Sequence, residues 1–276
     1  MSVLVEIKGR RQSARTPARD WPLIAAAFPL LILLLLPLVA LLRYTPATAF
    51  LHFATSSGTT QAISLSLGTS AVASLFVLVL GLPLAYLLAR QRSRLGQLIE
   101  VLIDLPTVLP PAVAGLALLM VFGRKGLLGP ALDGLGIQVA FTSTAVIIAQ
   151  IFVASPYFIK SAALGLAAIG PELEQAAQLD GANPRQIFQY VMLPLAWRGI
   201  IGGIALSWAR ALGEFGATII FAGNYPGRTQ TMPLAVYLGF EIDLNQALTL
   251  AAILLVLSFG ILFAVRATLR NLPTNY

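Results

Sequence analysis

Arg210 and Glu214 lie four positions apart inside one apolar stretch, so a helix would set them on the same face. An isolated charge at bilayer depth costs about 2.5–3.5 kcal/mol on insertion scales, so such residues pair and face a bundle interior. Two roles fit this pair. It is an internal ion pair that fixes the helix, or Arg210 lends positive potential to a path while Glu214 limits how tightly an anion is held. Gly213 and Gly216 flank the acid and suit close helix packing or a flexible joint. Pro106, Pro110 and Pro111 form a second cluster, which removes backbone donors from another apolar stretch. Breaks at membrane depth are tolerated where backbone faces protein or a water-lined cavity. Thr107 and the freed backbone groups therefore line a path, or the helix is simply kinked and touches no substrate. Asp104 is expected near an interface, where solvation suffices. The polar stretch 224–246 holds Arg228, Thr229, Gln230, Thr231, Glu241, Asp243 and Asn245, and suits a re-entrant loop or a dock for another protein. His52, the single histidine, reads as a solvated loop residue.

Other chemistries have no residues to carry them. No Gly-x-x-x-x-Gly-Lys-Ser/Thr loop occurs; Gly123-Arg124-Lys125-Gly126 has neither the spacing nor the hydroxyl residue. His-Glu-x-x-His, Gly-x-Ser-x-Gly and paired-carboxylate patterns are missing too. With no cysteine in the chain, disulfides, Cys-based metal sites and thiol chemistry are excluded, and no metal site is expected.

The elements that position these residues are membrane helices. Of 276 residues, 58% are hydrophobic and 11% charged, with a mean hydropathy of +0.84; a soluble domain is nearer about 45–50% apolar and 25% charged. Six stretches, Leu23–Leu42, Ile63–Ala89, Val101–Phe122, Ala145–Ile169, Ile200–Ala222 and Ala247–Val265, are each long enough, or nearly so, to cross a core about 30 Å thick. The first is preceded by Lys8, Arg10, Arg11, Arg15 and Arg19 but lacks a small-residue cleavage pattern, so it reads as a retained helix. Thirteen Lys and Arg residues fall on the N-terminal side of alternating connections and four on the other. The richer side should be cytoplasmic, which sets both termini inside. The net charge of +7 is thus topological, aided by anionic lipid, and nucleic acid is not needed to explain it. The expected organisation is a cytoplasmic tail at 1–21, a first span and periplasmic loop at 22–60, and a transmembrane domain at 61–270.

The connection 170–198 stands apart because it carries its own helix signals. Pro171 suits a first helical position, Glu172 and Glu174 favour the first turn, and Gly181 is a stop. Asn183-Pro184 reads as a cap and first position with Gln186 at the capping-box site. A second short helix through Ile187, Phe188, Val191 and Met192 is expected to end before Pro194. These two helices either pack on the bundle's own ends or form a docking knob for a cytoplasmic partner.

That loop resembles the cytoplasmic motif of importer-type ABC permeases: Glu-Ala-Ala, three residues, Gly, nine residues, then apolar-x-Leu-Pro. Gln175-Ala176-Ala177, Gly181 and Val191-Met192-Leu193-Pro194 keep the spacing throughout, with Gln175 in place of the family Glu and Glu174 one position earlier. Leu105-Pro106-Thr107-Val108-Leu109-Pro110-Pro111 and Ala209-Arg210-Ala211-Leu212-Gly213-Glu214-Phe215-Gly216 resemble the molybdate and sulfate group. Ala222-Gly223-Asn224 and Pro226-Gly227-Arg228-Thr229-Gln230-Thr231-Met232-Pro233-Leu234 resemble its molybdate branch.

The resemblance implies an all-α integral membrane protein with the type I ABC importer permease fold, in the bacterial inner membrane. It implies a subunit that moves molybdate or tungstate inward as an oxyanion. Glu174, Gln175, Ala176, Ala177, Gly181, Leu193 and Pro194 would couple it to an ATPase subunit, where ATP-Mg binds; this chain itself would hold no cofactor. Thr107, Pro110, Arg210, Glu214, Thr229 and Gln230 would belong to the translocation path or gate. A periplasmic molybdate-binding protein, a second copy of the chain and the bilayer are the implied partners. A sulfate or thiosulfate permease is the nearest alternative. An ion-coupled secondary transporter should show a long-range repeat and more midplane polar residues, and an integral-membrane enzyme a catalytic constellation.

Overall fold

The computed structural model describes residues 21–91 and 93–271. Residues 1–20, most of the expected cytoplasmic tail, lie outside the described residues, as do Arg92 and residues 272–276. Two compact units divide at Tyr44 and Thr45. The first contains α1, Trp21–Tyr44, a helix of 24 residues with Pro29 and Pro37 inside it and no buried side chain.

The second unit is built on α3 (Ser57–Arg90), α7 (Ser143–Ala167) and α10 (Leu193–Leu212), with α7 the most enclosed. Lipid tails offer no hydrophobic drive for helix association, so contact depends on small residues that let backbones approach. Gly199 of α10 lies so near α7 that a Cβ there would come within 2.9 Å of the Gly165 Cα, and the Ser161 hydroxyl donates to the Gly199 carbonyl at 2.8 Å. Trp208 Nε1 donates to Ser70 Oγ at 2.9 Å, tying α10 to α3. Ser66 Oγ accepts from the Met232 N–H at 2.7 Å, tying α3 to the start of α12 (Met232–Ile242). Around this frame lie α2 (Ala47–Ala54), α4 (Arg94–Val108), α5 (Pro111–Phe122), α6 (Gly129–Gly134), α8 (Pro171–Leu179), α9 (Pro184–Gln186), α11 (Gly216–Phe221) and α13 (Leu244–Asn271). One buried apolar cluster joins α5, α7 and α11. Another joins α3, α7 and α10 at the end that carries the 170–198 loop.

Among the described residues five helices are long and apolar enough to cross a membrane, and six crossings result if α4 and α5 form one span. That pair departs from the single span expected at 101–122: α4 and α5 are bent by 113°. Pro110 and Pro111 supply no N–H, and Leu109, which precedes them, is extended with φ −65° and ψ 133°. Pro106, by contrast, sits inside α4 without ending it.

The fifth span also differs. Helix runs from Pro184 to Leu212 without stopping at Pro194, so the second short helix of the loop is the start of the span itself. Residues Ile187–Met192 form a π-helical turn, and the Leu193 N–H bonds the Phe188 carbonyl five residues back. A widened turn accommodates the donor that Pro194 lacks. At the other end the helix closes at Leu212, ahead of the expected Ala222, and α11 begins only after the break at Gly213–Phe215. His52 lies exposed on α2, on a helix and not in a loop, with its ring edge-on to Phe53 at 5.1 Å. The stretch 224–246 contains α12 and the first turn of α13, which leaves only 224–231 as a polar loop.

Candidate functional site

Local signals build the 170–198 loop as its sequence requires. Pro171 opens α8, and Gly181 ends it with φ +82°. The Gly181 N–H bonds the Gln178 carbonyl and the Ala182 N–H bonds the Ala177 carbonyl, both at 3.0 Å, which makes a Schellman ending. Asn183 and Gln186 then form the full capping box, with reciprocal bonds of 2.9 and 2.8 Å.

This geometry gives α8 two faces. Gln175, Ala176 and Leu179 are exposed, Leu179 at 89% of its surface, while Glu174 is buried and Ala177 half-buried against the bundle. Leu193 is half-buried beside the same core, and Pro194 and Gly181 are exposed. Glu174 forms an ion pair with Arg90, the last residue of α3. Arg90 also donates from Nη2 to the Met192 Sδ at 2.9 Å and lies over the Tyr86 ring at 5.2 Å. Tyr86 in turn meets Phe188 edge-on at 5.1 Å.

The second group of residues gathers where two helices break. Arg210 Nη1 lies 2.7 Å from Glu214 Oε2, so the pair forms although the helix has ended between them. Glu214 is 1% exposed, and its Oε1 accepts the Ala217 N–H at 2.8 Å. One carboxylate therefore neutralises the arginine and satisfies a free donor at the start of α11. Gly216 packs against Pro111: a Cβ on the glycine would come within 2.5 Å of the proline's. A Cβ on Gly115 would likewise come within 2.6 Å of the Ala217 carbonyl oxygen. The α4–α5 break and the α10–α11 break are thus brought together.

Other predicted residues sit elsewhere. Thr107 is exposed and donates to the Asp104 carbonyl at 2.7 Å, and Pro110 caps α5. Thr229 and Gln230 are buried in the 224–231 loop, where the Thr229 hydroxyl accepts the Tyr225 N–H at 3.0 Å. Asp104, expected to be simply solvated, is ion-paired with Lys160 at 2.7 Å. No metal-ligating cluster is found among the described residues.

One feature escaped the sequence reading. An open cavity of about 680 Å³ is lined by Thr60, Gln61, Ser64, Gly68 and Thr69 of α3, with Ile147 and Gly227 opposite. Thr60, Ser64 and Gly68 recur every four positions, and that spacing was the available signal.

The family model for the inner membrane component of binding-protein-dependent transport systems matches residues 78–269, a range that contains the 170–198 loop and both breaks. The chain belongs to this family. The permease is 39% identical over 237 residues to the molybdenum transport system permease protein ModB of Mycobacterium tuberculosis, covering 86% of this chain and 90% of that one. It is 36% identical over 238 residues to the sulfate transport system permease protein CysT of Salmonella typhimurium, covering 85% and 86%. Its fold is similar to that of a chain in a bacterial ABC transporter involved in importing the acidic polysaccharide alginate. The TM-score is 0.72 at 19% identity, with 93% of this chain and 98% of that chain covered. The permease is therefore a multi-pass protein of the inner membrane with the type I ABC permease fold.

Proposed function

We propose that this permease carries molybdate inward as the membrane subunit of an ATP-driven importer. The observation that carries the substrate is the 39% identity to the molybdenum permease across nearly the whole chain. A sulfate substrate is the second reading, supported by the 36% identity to the sulfate permease. The reading includes two copies of the chain forming the path, an ATPase subunit on each 170–198 loop, and a periplasmic binding protein that delivers the anion. The outward face of α8, with Gln175, Ala176 and Leu179, suits the ATPase contact, because a free helix face bearing a bare leucine gains most by burial. The chain carries no phosphate-binding loop of its own, so ATP would act from the partner. Arg210 supplies positive potential at membrane depth, and its tie to Glu214 tempers its hold on an anion.

Uptake of labelled molybdate and sulfate by cells with and without the chain tests the substrate. Molybdate uptake should be lost on deletion and should be competed by tungstate, with sulfate in excess having little effect. Retained molybdate uptake with sulfate uptake lost would select the second reading.

A further inference from the structure

We propose that Arg90 is the positioning residue through which movement of α8 is passed to α3, a role that rests on the reading of 170–198 as the ATPase contact. Side chains from three segments converge on its one guanidinium. Glu174 reaches it from α8, Met192 from the π-helical turn at the start of the fifth span, and Tyr86 lies beneath it on α3 itself. Glu174 turns its carboxylate away from the exposed face of α8, with its side chain 11% exposed. Phe188, edge-on to Tyr86, extends the same cluster.

The arrangement has a mechanical consequence. A short helix touching a bundle only through small residues such as Ala177 could slide over it when pushed. A charge-paired arginine resists sliding, because separating the partners leaves the buried Glu174 without its counter-charge in a poorly solvated position. A displacement of α8 is then delivered to the end of α3, and α3 carries the polar cavity lining of Thr60, Gln61 and Ser64 toward its other end. The link thus runs from the proposed docking loop to a polar groove through one continuous helix of 34 residues.

The test uses the whole complex, permease with ATPase and binding protein, reconstituted in vesicles. Three quantities are read: ATPase retained on purification, ATP hydrolysed, and anion transported per ATP. Glu174→Gln and Arg90→Gln should retain the ATPase and still hydrolyse ATP, while transport per ATP falls about tenfold, the size of an ordinary coupling energy. The exchange Arg90→Glu with Glu174→Arg should recover most of that ratio. A protein that was merely unstable would lose assembled complex and would not change the ratio, so thermal unfolding of each variant accompanies the assay. Transport per ATP unchanged in Glu174→Gln would overturn the role of the pair. So would failure of the exchange in a protein that folds and binds the ATPase. If the unaltered permease retained no ATPase, the docking reading itself would fall instead.

Discussion

Gly216, the first residue of α11, lies against Pro111, the first residue of α5, so the interruptions of two separate membrane helices meet face to face. Each break alone would leave unpaired backbone groups at membrane depth. One of those groups, the Ala217 N–H, is accepted by the buried Glu214 carboxylate where the two breaks touch.

The contact has no room for another carbon. Gly216→Ala should destabilise the permease by about 1–3 kcal/mol, the usual cost of overpacking. Gly213→Ala is the control, since its nearest neighbour would be 3.6 Å away. Thermal unfolding in detergent should show a lower Tm for the first and little change for the second. Equal Tm values would remove the claim of close contact.

The charged pair should behave non-additively. Arg210→Met strands a carboxylate that is 1% exposed, whereas Glu214→Gln strands an arginine that still reaches solvent and keeps an acceptor for the Ala217 N–H. Arg210→Met should therefore be the more damaging. Breaking one side of a buried pair costs about 3–5 kcal/mol, with the partly exposed arginine pulling this pair to the lower end. The double variant should be more stable than the sum of the single losses predicts, and a cycle of denaturant unfolding measures the coupling.

Gly181 is needed for its backbone and not for space. Its φ is +82° and a Cβ there would meet nothing within 4 Å. Gly181→Val should therefore cost about 1–2 kcal/mol from left-handed strain, and Gly181→Asn less. Co-purification of the ATPase should fall with valine and largely survive with asparagine. The opposite order would show that side-chain contact, not turn geometry, governs the loop.

Leu179 offers the cleanest separation of docking from folding. At 89% exposure it contributes little to the permease itself. Leu179→Ser should leave stability within about 0.5 kcal/mol, as for ordinary surface changes. Retention of the ATPase should drop by about tenfold or more if the leucine is an interface anchor. Undiminished retention would move the docking face elsewhere on the loop.

Much of the architecture was legible before folding. The apolar stretches 63–89, 145–169 and 247–265 fall on α3, α7 and α13, because a bilayer demands a minimum length whatever the packing, whereas those at 101–122 and 200–222 straddle breaks. Capping signals were equally local: Asn183 with Gln186, Pro171 and Gly181 act within one turn, and each was realised. Proline was read less well. Pro106 and Pro194 were absorbed inside helices, while Pro110-Pro111 turned the chain by 113°. Whether a missing donor is tolerated depends on what packs around it, and composition does not carry that information.

By itself, then, the sequence determined a helical membrane protein, the spacing of its 170–198 loop and the nearness of Arg210 to Glu214, since all of these follow from hydropathy and short-range geometry. Only the tertiary structure decided which distant residues meet. Arg90 found Glu174, Lys160 found Asp104, and Pro111 found Gly216. Such pairings depend on how whole helices are rotated and set against one another, and that is chosen by the summed packing of many small side chains, no one of which signals it alone.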